Sequence, residues 1–532
     1  MEERRRRIEA EPLPANIGAL LDQAASETPD QVAWNFFESG ETVTYRALRA
    51  RVNALANGLA RAGIRKGSHV AVMLPNIAAF PATWLALGRL GAVMIPMNIA
   101  YTAREMEYVV QNGDVEWLII HEDCLDTLAE PSAHGPHVAP EKTFVVGSAA
   151  RGFRRWADLS DGQRSDFTDP WPVALDDPMN IQYTSGTTGF PKGCILSHRY
   201  WLTIAKVNAW RDGRVYKRIM AATPFFYMDP QWLLLMAFYQ RGTLFAGRRQ
   251  SSTRFMSWLR EHRIQFCLFP EIVFKQPPSL SDRDNEIIRV NVYGLHKEVH
   301  AALEDRFDFI AREAFGMTEC GSGLYMPIEA TDMVGSGSCG RPSPFRAARI
   351  VDDDGKPVAP GAIGELQIKG PGMLQGYYKN PEATKAAFVD GWFRTGDLFR
   401  QDENDFFYIV GRIKDMIRRS GENIAAREVE AVLRGLPEIV EAAAVPVPDP
   451  TRGEEVKAYI VLGPSCAPKD LPPERIIAHC EANLARFKVP RFIAYAAALP
   501  KTPSGKIAKK ILTQGIADLR KDSFDRIEGR WL

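Results

Sequence analysis

Residues 184–193 are the part of this chain best suited to hold a charged ligand. The stretch combines three glycines, four hydroxyl side chains and a lysine within ten residues, and it follows a strand-like run at 180–183. Glycines allow backbone N–H groups to turn toward an anion, hydroxyls add donors, and a lysine adds a mobile positive charge. This combination predicts a loop that holds a polyphosphate. Its candidate contacts are Thr184, Ser185, Gly186, Thr187, Thr188, Gly189 and Lys192.

The spacing in this loop differs from the P-loop pattern G-x-x-x-x-G-K-[ST]. Lys192 lies beyond Pro191 and is followed by Gly193 rather than by Ser or Thr. A flexible turn rich in Ser, Thr and Gly is the plain alternative for such a composition. The long ordered string T-S-G-T-T-G-x-P-K-G favours the phosphate-binding interpretation.

This string resembles the signature of the adenylate-forming superfamily, which includes acyl-CoA synthetases, luciferases and the adenylation domains of peptide synthetases. Further segments are similar to motifs of the same family, in order along the chain: F-G-M-T-E at 315–319, G-W-F-R-T-G-D at 391–397, G-R-I-K-D at 411–415, S-G-E-N-I at 420–424 and P-K-T-P-S-G-K at 500–506. With family-like sequence at 91–98, the resemblance covers nearly the whole chain. It implies an ATP-dependent carboxylic acid–CoA ligase that forms an acyl-AMP and then an acyl-CoA, releasing AMP and pyrophosphate.

The resemblance assigns roles in nucleotide binding that fit the chemistry. Bringing a carboxylate against the α-phosphate joins two anions, so a catalyst needs positive charge, a metal ion and fixed donors there. The family pattern implies that Glu319 binds Mg²⁺ with Thr188 as its companion, while the loop binds the β- and γ-phosphates. It places Phe315, where the family more often has tyrosine, against adenine. Gly316, Met317 and Thr318 belong to the same element.

The ribose and the second half of the reaction are assigned by resemblance to residues further along. Asp397 is expected to accept both ribose hydroxyls, and Arg412 to contact the ribose or the phosphates. Lys506 is the residue that we expect to catalyse adenylation, because a flexible ammonium can reach both the carboxylate and the α-phosphate. A face containing Ser420, Gly421 and Glu422 is expected to replace Lys506 for transfer to CoA, with Lys414 at the hinge. Gly421 lacks a side chain, so a pantetheine arm could pass close to its backbone.

This pattern predicts two domains. Residues 1–413 would form the N-terminal adenylation domain, which binds ATP and the acyl substrate, and residues 414–532 a mobile C-terminal lid. The expected fold class is α/β plus α+β: a large domain with stacked βαβ sheets and a small barrel-like sheet, hinged to a small α+β domain. At 532 residues the chain is also too long for one compact core.

The acyl pocket departs from the common acyl-CoA synthetase pattern in two stretches: residues 293–296 (Y-G-L-H) replace a G-G-A-P-like turn, and residues 226–231 (F-Y-M-D-P-Q) replace an aromatic-His motif. Together with residues 276–279 (Q-P-P-S), these stretches most resemble crotonobetaine/carnitine–CoA ligases. An aromatic and acidic pocket suits a quaternary-ammonium acid, although a short- to medium-chain acid stays open. The plain alternative is that Glu271 is buried by a partner and that Asp229 caps a helix beginning at residue 231. The candidate pocket residues are Tyr227, Met228, Asp229, Trp232, Glu271, Tyr293 and Gly294.

Other acceptors and roles remain to be weighed. An acyl- or aminoacyl-adenylating enzyme that serves a carrier protein is the main alternative. The chain ends soon after Lys506, and Met228 stands where amino-acid-activating domains have aspartate, although Asp229 is the next residue. A luciferase-like side activity stays open. A degenerate non-enzyme would be expected to lack Lys506, Glu319 or Asp397, and this chain has all three.

Bulk composition indicates a soluble, cytoplasmic protein. Lys and Arg total 66 against 65 Asp and Glu, which argues against nucleic acid as a partner. Dispersed cysteines suit free thiols, and neither a secretory signal nor stable membrane insertion is expected. The run at 4–7 is expected to be a solvated helix start or a ragged terminus, with a weak contact with an acidic surface as the alternative. The expected partners are therefore a small carboxylic acid, ATP and CoA; a homodimer stays open.

Hydrophobic periodicity places these motifs on alternating helices and strands. Helices are predicted at 45–62, 78–90, 102–111 and 253–262, and strands at 69–74, 93–96, 115–121, 218–222, 243–247 and 265–269. Residues 131–177 read as an irregular surface connection. Short strands at 348–351 and 365–368 are predicted next. The last part has helices at 426–434 and 473–484 and strands at 439–445 and 456–462.

Overall fold

The computed structural model describes residues 2–129, 138–148, 152–168, 171–184, 191–420, 422–502 and 505–532. By its internal contacts the chain divides into two compact units. The first comprises Met1–Thr184, Pro191–Ala348 and Ile368–Phe393; the second includes Arg349–Gln367 and Arg394–Leu532. The domain boundary between residues 413 and 414 stays a prediction.

Helices of the described residues are numbered here in chain order. They are α1 Glu2–Ala10, α2 Ile17–Glu27, α3 Tyr45–Ala62, α4 Ala79–Leu90, α5 Ala103–Asn112, α6 Asp126–Ala129, α7 His198–Trp210, α8 Met228–Gln240, α9 Phe255–Glu261, α10 Glu271–Phe274, α11 Lys297–Phe307, α12 Pro381–Ala387, α13 Ala426–Leu433 and α14 Pro473–Asn483.

Strands are numbered in the same way. They are β1 Val32–Phe36, β2 Glu41–Thr44, β3 His69–Met73, β4 Val93–Pro96, β5 Trp117–His121, β6 Thr143–Val146, β7 Arg154–Arg155, β8 Pro178–Thr184, β9 Lys192–Ser197, β10 Arg218–Ala221, β11 Thr243–Ala246, β12 Phe266–Leu268, β13 Arg289–Asn291, β14 Ile310–Arg312, β15 Ala314–Met317, β16 Gly321–Tyr325, β17 Arg341–Pro342, β18 Ala347–Val351, β19 Ile363–Lys369, β20 Gly376–Tyr377, β21 Phe388–Val389, β22 Trp392–Gln401, β23 Phe407–Arg412, β24 Met416–Arg419, β25 Glu422–Ala425, β26 Ile439–Asp449, β27 Gly453–Leu462, β28 Phe492–Tyr495, β29 Phe524–Asp525 and β30 Arg530–Trp531.

Two large sheets organise the first unit. One has eight strands in the order β20-β9-β8-β4-β3-β5-β6-β7, and the other has seven in the order β14-β13-β12-β10-β11-β1-β2. Neighbours from β4 to β7 in the first sheet and from β14 to β1 in the second run parallel. Parallel strands need crossover connections, and helices supply them, as the alternating sequence pattern predicts.

Capping residues fix where the helices of this unit begin and end. The Thr44 side chain accepts a hydrogen bond from the backbone N–H of Ala47 at the start of α3, and Gly63 ends the helix with φ 107°. Thr102 and Glu105 form a reciprocal capping box at the start of α5. The caps at Thr44 and Thr102 satisfy N–H groups that a helix start leaves without a partner, and the cap at Gly63 satisfies carbonyl groups at a helix end.

The second unit contains a seven-stranded sheet in the order β25-β24-β27-β28-β29-β30, with β26 beside β27. Helices α13 and α14 pack on it, and residues such as Ile417, Val429, Leu433 and Ile460 form their shared buried core. A further sheet has the order β18-β19-β22-β21, with β23 beside β22. Its antiparallel register pairs Asp397 with Arg412, which brings two predicted site residues together.

Two expectations about the first unit are only partly right. Residues 131–177 are not simply irregular, because β6 and β7 extend the eight-stranded sheet beyond β5. The arginine run is not merely solvated: within α1, Arg4 donates to the carbonyl of Arg211 and Arg5 to that of Arg346. Both side chains therefore dock α1 against the unit. None of the helices in the described residues is long and apolar enough to cross a membrane.

Candidate functional site

The predicted phosphate loop joins the antiparallel strands β8 and β9. The register pairs Thr184 with Lys192, so the two ends of the loop lie side by side at one end of the hairpin. The Thr184 hydroxyl donates to the backbone carbonyl of Lys192 at 3.4 Å. The structure thus gives the loop a rigid base. The remaining predicted contacts, Ser185, Gly186, Thr187, Thr188 and Gly189, lie outside the described residues.

Tyr377, which the sequence motifs did not indicate, contacts both Lys192 and Glu319. The Tyr377 hydroxyl donates to Glu319 Oε1 at 2.9 Å. The Lys192 ammonium lies 4.4 Å from the centre of the Tyr377 ring. Burial raises the pKa of Tyr377, and the neighbouring Glu319 carboxylate raises it further, so the phenol stays a hydrogen-bond donor. A carboxylate and an ammonium, both predicted to face the triphosphate, are therefore held by one side chain.

The element 315–318 forms strand β15 and its end, paired with β16 across a bulge between Phe315 and Gly316. A Cβ at Gly316 would lie 2.7 Å from the carbonyl oxygen of Gly321, so only glycine fits there. Phe315 is half-buried, as are Met317 and Thr318. The bulge lets the chain turn toward Glu319, whose carbonyl accepts from the Leu374 N–H at 2.8 Å.

The predicted pocket segment 224–232 is held by buried amides. Gln231, fully buried, donates to the carbonyls of Phe225 and Tyr227. Gln182 donates to the carbonyl of Phe226 at 2.8 Å, which ties the segment to β8 next to the phosphate loop. The segment therefore joins the predicted acyl pocket to the predicted phosphate site.

Asp229 does not cap the helix that follows it, contrary to the alternative considered for it. Helix α8 begins at Met228 with Tyr227 as its N-cap residue, because Pro230 is tolerated within a first turn whose N–H groups need no helical partner. Asp229 Oδ1 instead accepts from Trp232 Nε1 at 3.1 Å. Near them, Asn98 donates to the Tyr227 hydroxyl at 3.5 Å, and the Tyr200 hydroxyl lies 3.6 Å from Met228 Sδ.

Tyr293 and Gly294 form a turn that Glu313 holds in place. Gly294 has φ 73°, which favours glycine, and its N–H donates to Glu313 Oε1 at 2.8 Å. The Leu295 N–H donates to the other oxygen of this buried carboxylate. Tyr293 is 48% exposed, but desolvation of its hydroxyl raises its pKa, and the charge of the Asp229 carboxylate raises it further.

A buried charged cluster that the sequence did not indicate lies beside this turn. Arg289 forms an ion pair with Asp212, both fully buried, and also donates to Asn291 Oδ1 at 2.6 Å. Arg211 donates to the same oxygen at 3.1 Å, and burial lowers its pKa to about 10. The Arg211 charge also acts on Tyr293, lowering its pKa. The cluster therefore borders the predicted acyl pocket.

Glu271 is only partly buried, at the start of the short helix α10. Its carboxylate lies 3.9 Å from Lys275 Nζ and 3.8 Å from His296 Nε2, with about a quarter of the side chain exposed. The alternative, in which a partner buries Glu271, therefore fits in part: the carboxylate has Lys275 and His296 as neighbours, but its side chain is not fully buried.

In the second unit, the Asp397 carboxylate is buried beside Arg412. Only 1% of its side chain is exposed, and Arg412 Nε lies 2.9 Å from Oδ1. This N–H does not point at the oxygen, so neither carboxylate oxygen accepts a hydrogen bond within the described residues. Burial raises the pKa of Asp397 to about 6, although Arg412, Lys506 and Arg427 lower it. A buried carboxylate with both oxygens in need of donors suits a ribose diol.

The segment expected to face CoA is the turn between β24 and β25. Ser420 has φ 52°, and its N–H donates to the carbonyl of Arg452 at 2.8 Å. Arg419, just before it, donates to the fully buried Glu455. Gly421 lies outside the described residues, while Glu422 begins β25 and Lys414 belongs to a single 3₁₀ turn before β24.

Lys506 sits in a short closed turn of the second unit. Thr502 N–H donates to its carbonyl at 2.7 Å, and its own N–H lies 3.2 Å from the Thr502 hydroxyl. Lys501 and Ile507 pair across the turn in an isolated antiparallel bridge. The Lys506 side chain is exposed, and its charge acts on Asp397.

The residues that are present fit a magnesium ion. Mg²⁺ prefers oxygen ligands and is usually bound by one or two carboxylates together with substrate phosphates, rather than by a protein cage. Glu319 offers such a carboxylate, already oriented by Tyr377. In the described residues no group of three or more His, Cys, Asp or Glu is placed to hold a metal by itself.

Comparison with known proteins defines the class. Residues 21–378 match the family described as AMP-binding enzyme, and residues 428–506 match the AMP-binding enzyme C-terminal domain. The crotonobetaine/carnitine–CoA ligase of Shigella flexneri is 33% identical over 487 residues, covering 88% of this chain and 92% of that one. The sulfoacetate–CoA ligase of Cupriavidus necator is 31% identical over 501 residues, covering 93% and 96%. The crystal structure of ATP-bound MatB from Rhodopseudomonas palustris superimposes with a TM-score of 0.84 at 25% identity, covering 96% and 100%.

The chain therefore belongs to the AMP-binding enzyme family, with its large N-terminal and small C-terminal domains. It is an AMP-forming acyl-CoA ligase. Enzymes of this kind take ATP, Mg²⁺ and CoA together with a small carboxylic acid.

Proposed function

We propose that this ligase activates a short carboxylic acid bearing a quaternary ammonium group, of the crotonobetaine or carnitine type. The observation that carries the proposal is the Asp229 carboxylate, which accepts from the indole of Trp232 at 3.1 Å and lies near enough to Tyr293 for its charge to raise the pKa of that phenol. A carboxylate framed by aromatic side chains attracts a cation that cannot donate hydrogen bonds. The relative in Shigella flexneri, named for crotonobetaine and carnitine, supports this assignment.

In the first half-reaction, the carboxylate oxygen of the acid attacks the α-phosphorus of ATP and pyrophosphate leaves. We assign the triphosphate to Thr184, Lys192 and the loop between them, adenine to Phe315 and the ribose to Asp397. The metal would be held by Glu319 and Thr188, and when bound it would neutralise charge on the phosphate oxygens. Lys506 would donate to the oxygens on which charge builds, an effect commonly worth about 3–4 kcal/mol of barrier.

In the second half-reaction, the CoA thiolate attacks the acyl carbon and AMP leaves. We assign this step to the turn at Ser420, Gly421 and Glu422, with residues 414–532 acting as the mobile lid and Lys414 at its hinge. The anchoring of Arg419 on the buried Glu455 supports a turn that keeps its shape. Lys506 is not required once the acyl-AMP exists.

The alternative acid is one with a second anionic group. It is favoured by Arg211, which is buried beside Tyr293 and makes no ion pair within 4.0 Å in the parts of the chain that the structure describes. The sulfoacetate–CoA ligase of Cupriavidus necator is similar to this chain over nearly the same length. The two candidates differ in the sign of the charge that the pocket should prefer.

The test is AMP release with CoA present, measured for crotonobetaine, carnitine, butyrate, sulfoacetate and malonate. We expect kcat/KM to be highest for a betaine acid. Asp229→Asn should lower it by about tenfold or more, the equivalent of 1.4 kcal/mol or above, and leave butyrate unchanged as an internal control. Activity on butyrate but none on betaine acids would end the proposal, and a preference for sulfoacetate would establish the alternative.

A further inference from the structure

Tyr377 lies between two charged residues that the proposed function assigns to the triphosphate and its metal. Its hydroxyl is 2.9 Å from Glu319 Oε1, and its ring centre is 4.4 Å from the Lys192 ammonium. The side chain is 7% exposed, and it approaches both residues although Glu319 lies 58 positions away in sequence. One buried side chain therefore contacts both groups.

The backbone on either side of Tyr377 is fixed independently of these contacts. Gly376 and Tyr377 form β20, which pairs antiparallel with Ile195 and Cys194 of β9. The Tyr377 N–H donates to the Thr384 hydroxyl at 2.9 Å, and the Tyr378 N–H donates to the carbonyl of Gly193 at 2.8 Å. The ring is thus carried by the same sheet edge from which the phosphate loop emerges.

The segment 374–377 also forms a hydrogen bond with the main chain at Glu319. The Leu374 N–H donates to the Glu319 carbonyl at 2.8 Å, just before β20 begins. Residues 374–377 therefore hold both the backbone and the carboxylate of Glu319 in place. Side chains that hold ligands need such support, because a displacement of about 1 Å can reduce rates by about a hundredfold.

We propose that Tyr377 is a positioning residue for adenylation: its hydroxyl orients the Glu319 carboxylate toward the metal, and its ring holds the Lys192 ammonium near the phosphates. The inference rests on the proposed roles of Glu319 and Lys192. The hydroxyl occupies Oε1, so the carboxylate offers Oε2 to the ion. The ring attracts the ammonium without neutralising it, so Lys192 keeps its full charge for the phosphates.

The two contacts can be separated by substitution. Tyr377→Phe keeps the ring and its contact with Lys192 but removes the hydroxyl, whereas Tyr377→Leu removes both. The matched control is Tyr378→Phe, which removes a neighbouring hydroxyl that donates to Asp114 at 2.8 Å. Melting temperatures of all three variants report whether the fold is retained.

The assay is acid-dependent exchange of labelled pyrophosphate into ATP, measured as a function of Mg²⁺ and of pyrophosphate. We expect Tyr377→Phe to raise the Mg²⁺ concentration for half-maximal exchange by about tenfold, since a hydrogen bond to a charged group is lost, with little change in the KM of pyrophosphate. Tyr377→Leu should raise both. Conversion of supplied acyl-AMP and CoA to acyl-CoA should stay at the wild-type rate.

A double-mutant cycle tests whether the Tyr377 hydroxyl acts through Glu319. If the hydroxyl works through Glu319, Tyr377→Phe should add little to the loss already caused by Glu319→Gln. Full additivity, or a Tyr377→Phe enzyme with the Mg²⁺ dependence of Tyr378→Phe, would overturn the inference while leaving the proposed function intact. Unchanged Mg²⁺ dependence in Glu319→Gln alone would overturn the metal assignment, and this inference with it.

Discussion

Replacing Asp397 by asparagine should stabilise the free enzyme against unfolding and weaken its binding of ATP. The carboxylate is 1% exposed, and neither oxygen accepts a hydrogen bond within the described residues. Burial raises its pKa from 3.8 to about 6 in spite of the neighbouring cations. That difference corresponds to roughly 3 kcal/mol spent on keeping the charged form buried at neutral pH.

The sign of this effect fixes its pH dependence. Because the folded pKa lies above the unfolded value, the unfolded chain loses its proton first as pH rises from about 4 to about 6, and wild-type stability falls over that interval. The amide of the substituted side chain has no charge to bury, so the advantage of Asp397→Asn should reach about 3 kcal/mol above pH 6 and fade below pH 4.

The assay is thermal unfolding of both proteins without ligands at pH 7.5 and at pH 4.5, together with the KM of ATP at pH 7.5. We expect a higher Tm for the variant, with the difference largest at pH 7.5. The KM of ATP should rise about ten- to hundredfold, since the carboxylate that we propose accepts the ribose hydroxyls is lost. Asp402→Asn is the matched control: burial opposes ionisation there, but bonds from Phe406, Tyr408 and Asn404 lower its pKa, so this change should destabilise. An Asp397→Asn protein no more stable than wild type at pH 7.5 would refute the reasoning.

Two further outcomes follow from the first unit. Asp212→Asn should lower the free energy of unfolding by about 3–5 kcal/mol, because it leaves Arg289 charged and buried without its partner. The control Asp305→Asn, in the exposed pair with Arg283, should change the free energy of unfolding little. Similar small losses for both variants in urea denaturation would contradict the importance of the buried pair. Glu313→Gln should raise the KM of every acid several-fold by loosening the turn at Tyr293 and Gly294, while the KM of pyrophosphate stays unchanged. A change in the KM of pyrophosphate alone would show that Glu313 does not act on the acyl pocket.

Helices with strong local signals could be read from the sequence. Helix α3 has the predicted bounds because Thr44 caps its start and Gly63 adopts the left-handed conformation at its end. Helix α5 begins one residue later than predicted, since Thr102 serves as its cap rather than its first residue. These features depend on near neighbours in the chain, which a sequence pattern records.

Features that depend on distant partners could not be read in this way. The composition of β6, Thr143–Val146, favours a strand, but its pairing with β5 joins residues distant in sequence and could not be read from the chain. The Tyr377–Glu319 contact and the support of the Tyr293 turn by Glu313 join residues far apart in sequence. The cap expected at Asp229 was wrong because Pro230 fits the first turn, so that the helix starts at Met228. Motif residues were predictable, whereas the side chains that hold them were not.

The most direct test of the central claim compares the two half-reactions in Lys506→Ala. We expect acid-dependent pyrophosphate exchange to fall by about a hundred- to a thousandfold, the equivalent of about 3–4 kcal/mol. Formation of acyl-CoA from supplied acyl-AMP and CoA should continue at the wild-type rate. Equal loss of both half-reactions, or undiminished exchange, would contradict the assignment of adenylation to Lys506 and of thioester formation to a separate face of the C-terminal region.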